Sequence, residues 1–262
     1  MSKTSALLAT AALALATLGV AAPSATADSG QTRRDGDVMA AQERIDRNFA
    51  LRTGADVSVN GIAGSVTVET REGGEAEVHI VRMARTQRDL DCYRTIVEQT
   101  GGGLRIAHEQ DRSRECRSIN SRQEVRLVLP RSVNLQMSSI AGRVEVGELH
   151  GRVRLDSVAG NVHIASARSG NLSSLAGGLR LDVGRLDPSG FRISSVVGPV
   201  ELAFRDGANA DVTVDSVMGS VRSESDQVRI QGEDQTYRAR VGAGGPAVAI
   251  SSVVGRVRLR SY

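Results

Sequence analysis

Aromatic residues are the scarcest class in this sequence. The 262 residues include no Trp, three Phe and three Tyr, although 40% of them are hydrophobic. A core must therefore be built from Val, Leu, Ile and Ala, which suits thin and regular layers. Binding grooves for single-stranded nucleic acid use exposed rings as stacking platforms, and by analogy so do those for glycans, so grooves of both kinds are disfavoured.

Lysine is almost absent as well, since Lys3 is the only one. The 33 Lys and Arg face 30 Asp and Glu, which leaves a net charge of +3. Nucleic-acid binding is not expected, because it needs a large cationic excess to displace counterions from phosphates. A phosphate-binding loop ending in Gly-Lys-Ser/Thr is excluded, and no G-x-S-x-G nucleophile motif occurs.

No metal or cofactor site is indicated. The four histidines, His79, His108, His150 and His163, are scattered, and none stands at ligand spacing from another His or a Cys. Asp28, Asp35 and Asp37 lack the spacing and the bidentate Glu of a calcium-binding loop. We therefore expect no bound cofactor.

The N-terminus has the pattern of a secretory signal peptide. A short positive segment with Lys3 precedes an apolar run from Ala6 to Ala22, and residues 25–27 form a small-x-small cleavage pattern. We expect residues 1–27 to be removed and the rest to be exported to the periplasm or the cell surface. No later stretch is apolar enough to span a membrane as a helix.

Cys92 and Cys116 are the only cysteines, and an even count in an exported protein favours a disulfide. Two strand patterns, Tyr93 to Gln99 and Leu104 to Glu109, fold back at the glycines 101–103, which would bring the cysteines together. A structural bridge is favoured over a redox pair, because catalytic dithiols usually have C-x-x-C spacing.

An eight-residue repeat dominates the rest of the sequence. The template is S-φ-x-G-x-φ-x-φ, where φ is apolar, and its six copies have glycines at 142, 160, 177, 198, 219 and 255. A looser copy surrounds Gly64. Each copy alternates between apolar and polar residues, which is typical of a strand with one buried face. Because so small a unit cannot bury its apolar face alone, the copies are expected to stack into a solenoid.

The residues of the repeat also carry a family resemblance. Together with the segments 57–68 and 125–135, the serial copies resemble the bacterial "putative adhesin" family, exported β-strand-repeat domains of unknown function. The resemblance covers about residues 43 to 260 and implies an all-β, right-handed β-helix-like solenoid of short strands with inserted hairpins. It implies no catalytic residues, and the Cys92 to Cys116 hairpin looks like an addition in this member.

The predicted organisation follows from these patterns. After the signal peptide comes an N-terminal segment, 28–42, and then a single solenoid domain, 43–262. Within that domain, residues 43–135 form irregular first coils with the disulfide hairpin, and residues 136–262 form the regular repeats. The segments Arg82 to Asp91 and Asp111 to Arg122 are predicted to be charged loops, and Gln227 to Val241 a projecting hairpin.

Three charged groups are candidates for function. The residues three positions after each repeat glycine are predicted to form an outward column, in which Glu201 stands between Arg180 and Arg222. Because acids are interleaved with the arginines, this column is interpreted as a solvated face rather than as a polyanion-binding one. Four arginines near Cys116 could contact an anionic polymer or partner: Arg112, Arg114, Arg117 and Arg122. Asp156, Asp182 and Asp187 are the only carboxylates that would suit a β-helix enzyme.

The leading interpretation is a non-catalytic, exported structural or interaction module of the cell envelope. Its expected partner is an envelope protein or polymer, and the residues specify neither that partner nor the oligomeric state. A carbohydrate-active β-helix enzyme and an accessory to envelope-stress sensing are the alternatives.

Overall fold

The computed structural model describes residues 39–262, apart from 112–115, 117–120, 226–227 and 234–235. The predicted signal peptide and residues 28–38 lie outside the described residues. The described residues belong to one compact unit.

Strands make up almost all of the secondary structure, so the all-β prediction is confirmed. The described residues contain nineteen strands and one short helix, with these bounds: β1 Ala41–Ala50, β2 Asp56–Asn60, β3 Gly64–Arg71, β4 Glu75–Ala84, α1 Gln87–Asp91, β5 Tyr93–Thr100, β6 Gly103–Gln110, β7 Ser121–Pro130, β8 Asn134–Ala141, β9 Val144–Glu148, β10 Arg152–Ala159, β11 Val162–Ser166, β12 Ser169–Ala176, β13 Leu179–Val183, β14 Phe191–Val197, β15 Val200–Phe204, β16 Ala210–Ser223, β17 Val228–Glu233, β18 Thr236–Val241 and β19 Ala247–Ser261.

The strands of the repeats pair in parallel and form two ladders within one nearly closed sheet. The first ladder has the order β6, β2, β8, β10, β12, β14, β19, β16. The second has the order β7, β3, β9, β11, β13, β15, β19, β16. Equivalent residues of successive repeats are aligned, as in the inward series Val144, Val162, Leu179, Val200, Val257 and Val221.

The stacking order departs from the chain order at both ends. The last repeat strand, β19, lies between β15 and β16, and the first repeat, β2 with β3, lies between β6 with β7 and β8 with β9. The prediction that Glu201 stands between Arg180 and Arg222 is therefore wrong, because Arg258 of β19 occupies the place beside Glu201. In this position, β19 pairs with a neighbouring strand along each of its two edges.

The repeat serine and glycine have distinct backbone roles at each bend. Five repeat serines adopt a left-handed conformation with φ between 54° and 56°: Ser139, Ser157, Ser174, Ser195 and Ser252. The repeat glycines form a glycine column, in which each backbone lies directly against the next: Gly64, Gly142, Gly160, Gly177, Gly198, Gly255 and Gly219. A Cβ at Gly160 would lie 1.9 Å from the carbonyl oxygen of Gly142. The column therefore requires glycine for space as well as for φ.

The disulfide hairpin has the predicted form. Strands β5 and β6 pair antiparallel, and Cys92 is bonded to Cys116 with a Cα–Cα distance of 5.5 Å. The predicted loop from Arg82 to Asp91 is different, since Arg82 belongs to β4 and is buried. Its guanidinium donates to the carbonyls of Leu90 and Tyr93 and pairs with Glu43, which joins β1, β4, α1 and β5.

The second predicted hairpin also forms, from β17 and β18, but it does not project. Strand β18 pairs antiparallel with the first part of β16, from Ala210 to Asp215. The hairpin therefore extends the sheet, because pairing satisfies backbone groups that β16 would otherwise expose at the edge.

The core follows the aliphatic composition. Inward columns of Val, Leu and Ile fill the space between the two ladders, and Phe191 and Phe204 are the buried phenylalanines. Outward positions between these columns carry the polar side chains and form the surfaces described next.

Candidate functional site

The outward column of the second ladder carries acidic and basic side chains that form ion pairs. Glu201 Oε1 forms ion pairs, at 2.7 Å from Arg260 Nε and 3.4 Å from Arg180 Nη1. Arg258 lies 3.5 Å from Glu224, so acids and bases are interleaved. Exposed pairs of this kind stabilise by a few tenths to about 1 kcal/mol each. The prediction of a solvated, mutually paired face fits these contacts.

The same face extends to β7, where Arg126 binds Glu69 with two hydrogen bonds of 2.7 and 2.8 Å. The hydrogen bond from Arg126 holds the pKa of Glu69 below its usual value. A cavity of about 320 Å³ lies beside this column. Gly178, which has no side chain, lines it between Asn161 and Pro199.

A longer groove crosses the outward face of the first ladder. It encloses about 510 Å³ and reaches from Asp56 of β2 to Ala249 of β19, over six adjacent strands. With a spacing of about 4.8 Å between strands, its length is about 24 Å. We name it the arginine trough, because Arg152, Arg154 and Arg192 stand on its walls.

The walls of the trough are two outward rows of side chains that lie two residues apart along each strand. One row contains Asp56, Asn134, Arg152 and Ser169, and the other contains Ser58, Gln136, Arg154, Asn171 and Arg192. Strand geometry places Arg152 and Arg154 about 7 Å apart at Cα, and Arg154 and Arg192 about 10 Å apart.

Hydrogen bonds hold one end of the trough in place. The side chain of Asn134 accepts from Arg152 N at 3.0 Å and donates to Asp56 Oδ1 at 3.0 Å. The floor is tightly packed at Gly170, where an added Cβ would lie 2.5 Å from the ring of Phe191. The walls are therefore anchored on a rigid sheet.

The trough is cationic. Within the described part of the chain, Arg152, Arg154 and Arg192 have no carboxylate within 4.0 Å, and all three are exposed. Among the described residues of the walls, Asp56 is the single acid. This face therefore holds guanidiniums that are free to bind an oxyanion.

Sequence reasoning missed this site, although a signal for it was present. Arg154, Asn171 and Arg192 each stand six residues before their repeat glycine, at 160, 177 and 198. The template began at the serine, three residues before the glycine, and so left this row out.

An aliphatic stripe runs along the bends, one residue before each repeat glycine. Its members are in register and become larger toward β16: Ala63, Ala141, Ala159, Ala176, Val197, Val254 and Met218. Val197, Val254 and Met218 are the exposed large aliphatic residues of the described chain.

The arginines predicted near Cys116 fall mostly outside the described residues. Arg112, Arg114 and Arg117 belong to the undescribed positions. Arg122 is exposed on β7 and lines a cavity of about 950 Å³ together with Arg143. A binding role for these four stays a prediction.

The carboxylates that would suit an enzyme belong to separate environments. Asp156 lies in the first ladder, where its oxygens accept from the hydroxyls of Ser157 and Ser173 at 3.2 and 3.0 Å. Asp182 lies in the second ladder and accepts from Arg180 Nε and the Tyr262 hydroxyl at 3.3 and 3.1 Å. Asp187 is in the turn before β14.

Among the described residues, no group of three His, Cys, Asp or Glu side chains is arranged to hold a metal ion. His108 is stacked on Tyr93 with ring centroids 4.6 Å apart. Burial, with a smaller contribution from the charge of Arg82, lowers the pKa of His108 to about 4. Within the same part of the chain, no helix has the length and apolarity needed to cross a bilayer.

Among known proteins, similarity to this chain is found only in solved structures. No family model matches the sequence, and no curated protein matches it. A putative cell adhesion protein from Clostridium sporogenes is 10% identical with a TM-score of 0.39, over 84% of this chain and 100% of that chain. A putative adhesin from Bacteroides fragilis is 12% identical with a TM-score of 0.33, over 84% and 97%.

A third similar structure, a putative lipid binding protein from Parabacteroides distasonis, is 10% identical with a TM-score of 0.32, over 84% of this chain and 96% of that chain. Two of these three proteins carry the name adhesin or cell adhesion protein.

Proposed function

We propose that this protein is a non-catalytic, exported interaction module of the cell envelope and that the arginine trough is its contact surface. The observation that carries the proposal is the trough itself: an open groove of about 510 Å³ with three exposed arginines that lack a carboxylate partner among the described residues. Such a surface is suited to binding, because its charged groups are held on a rigid sheet and remain available to a ligand.

The separation of the carboxylates supports a non-enzymatic role. A glycosidase needs two carboxyl groups about 5 to 10 Å apart across one bond of the substrate. Asp156 and Asp182 belong to different ladders and to different hydrogen-bond networks. Two serine hydroxyls, of Ser157 and Ser173, already occupy the oxygens of Asp156.

The proposal includes the finer architecture and the export. The aligned register of the repeats supports a right-handed β-helix-like solenoid over residues 43–262. The N-terminal pattern supports export after cleavage near residue 27. The disulfide agrees with an oxidising compartment.

Photo-crosslinking in intact cells tests the proposal. Amine-reactive reagents are unsuitable because Lys3 is the only lysine. A benzophenone amino acid is therefore placed at Gln136, an exposed residue on the trough wall, and in a matched variant at Asn48, an exposed residue of β1. We expect macromolecular adducts in the envelope fraction from Gln136 and few from Asn48.

Two results would contradict the proposal. One is equal crosslinking from both positions or none from either, which would leave the trough without a partner. The other is release of products from polyuronates or peptidoglycan by the purified protein, which would favour the carbohydrate-active alternative. Adducts confined to one membrane kinase or transporter subunit would instead support the stress-sensing alternative.

A further inference from the structure

We infer that the ligand of the arginine trough is an extended polyanion, a chain that carries phosphate or carboxylate groups at intervals. This inference rests on the proposed function, and it adds the chemical class of the partner. It is carried by the shape of the trough and by the positions of its three guanidiniums.

The shape favours a chain over a small ion. The trough runs across six strands and is open along its length, about 24 Å. A single phosphate or carboxylate would occupy only a fraction of it. An extended polymer backbone advances about 3.4 Å per residue, so about seven residues would fill the groove.

The spacing of the charges favours repeated anionic groups. Arg152 and Arg154 belong to the two opposite walls of the trough, and Arg192 lies two strands further along the same wall as Arg154. Separations of about 7 and 10 Å at Cα allow each guanidinium to bind a different oxyanion of one chain. Asn171 lies between Arg154 and Arg192 and offers an amide hydrogen-bond donor to the same chain.

The lining also disfavours a neutral glycan. Phe191 is the one aromatic residue of the trough, and only 2% of its surface is exposed. A sugar ring would have no aromatic face on which to stack, so binding depends on charge and hydrogen bonds. Affinity should accordingly fall as salt rises.

A binding experiment with a charge-matched control tests the inference. Fluorescent poly-L-glutamate and inorganic polyphosphate are titrated with the full-length mature protein at about 0.15 M salt, and anisotropy is measured. The trough variant is R152Q/R154Q/R192Q. The control variant, R47Q/R94Q/R256Q, removes three exposed arginines elsewhere that also lack a carboxylate partner within the described residues. Far-UV circular dichroism confirms that both variants are folded.

We expect the wild type to bind at least one of the two polymers and the trough variant to bind it about tenfold or more weakly. The control should lose about threefold or less, although its net charge changes equally. Octaglutamate should bind more tightly than triglutamate, because the longer chain can extend along the whole groove of about 24 Å, whereas extended triglutamate covers only about 10 Å of it.

Equal losses in the two variants would overturn the inference, and so would the absence of binding to either polymer. Equal affinity for triglutamate and octaglutamate would reduce the site to a small-anion site. Tighter binding of single-stranded DNA of equal charge would assign the trough to nucleic acid instead. Crosslinks from Gln136 in cells without binding of either polymer would overturn this inference and leave the proposed function standing.

Discussion

The glycine column allows a sharp test of how the repeats stack, through the substitution Gly160→Ala. The φ angle of Gly160 is +146°, a conformation that costs other residues about 1–3 kcal/mol. The new Cβ would also lie 1.9 Å from Gly142 O, where ordinary contacts begin near 3.4 Å. Adjacent coils would have to separate by about 1.5 Å out of a spacing of about 4.8 Å.

Such a separation would break the hydrogen bonds that join these two coils beside the substituted residue. Gly142 N donates to Ala159 O at 2.8 Å, and Val144 N donates to Asn161 O at 2.9 Å. At about 1 kcal/mol each, their loss adds about 2 kcal/mol to the cost of the backbone conformation. We expect Gly160→Ala to lower the free energy of unfolding by about 4 kcal/mol.

The matched control is Gly73→Ala. Gly73 also has a positive φ, +115°, but nothing lies within 4 Å of the position that its Cβ would take. This variant should lose only the conformational cost, about 1–3 kcal/mol. Equilibrium unfolding in urea, followed by far-UV circular dichroism, measures both variants. Equal destabilisation of the two would refute the close stacking of the glycine column, and so would a smaller effect at Gly160.

Two further predictions concern the disulfide hairpin. Replacing both cysteines, in C92S/C116S, should lower the free energy of unfolding by about 3 kcal/mol, because the bridge closes a loop with a sequence separation of 24; chemical denaturation of the variant measures the loss. His108 has a pKa of about 4 in the folded protein, so protons bind the unfolded chain more readily and stability should fall as the pH drops from 6.5 toward 4. Between pH 7 and pH 5 we expect a loss of about 1 kcal/mol, reduced from the full linkage value because the ring is partly exposed.

The controls for these predictions use the same hairpin. Reduction of the wild type with dithiothreitol should reproduce the effect of C92S/C116S, and an unchanged unfolding midpoint in both cases would contradict a stabilising bridge. His108→Phe keeps a ring against Tyr93 and should remove most of the pH dependence of the free energy of unfolding above pH 4.5. Glu69 and Glu77 stay charged in that range, because their pKa values are lowered. Identical pH profiles for the variant and the wild type would contradict the assignment to His108.

The strand content and the disulfide could be predicted because their signals are local. Alternation of apolar and polar residues depends only on the two-residue period of a strand. The glycines between β5 and β6 set a turn that brings the flanking segments together, and the bond between Cys92 and Cys116 follows from that hairpin. The position of Arg82 was misjudged, because a charged side chain within a strand is buried only when distant carbonyls and a carboxylate satisfy it.

The arginine trough depends on neighbours that are distant along the chain. Arg154 and Arg192 are separated in sequence by 38 positions, and only the parallel register of β10, β12 and β14 aligns them. The outward column of the second ladder was easier to predict, because its residues stand three positions after the glycine in every full repeat. Even there, one of the two predicted neighbours of Glu201 was wrong: Arg180 lies beside it, but Arg258 takes the place of Arg222, because β19 inserts between β15 and β16.

The amino-acid sequence alone determined that this protein is built of short strands with an aliphatic inward face, with glycine and serine at each bend. Those properties come from side-chain volume, from the period of a strand and from the backbone conformations that each residue allows. The tertiary structure alone decided which repeats are adjacent, because strand pairing depends on backbone hydrogen bonds that any apolar repeat could form. It placed β19 between β15 and β16 and thereby determined which charges meet on the surface.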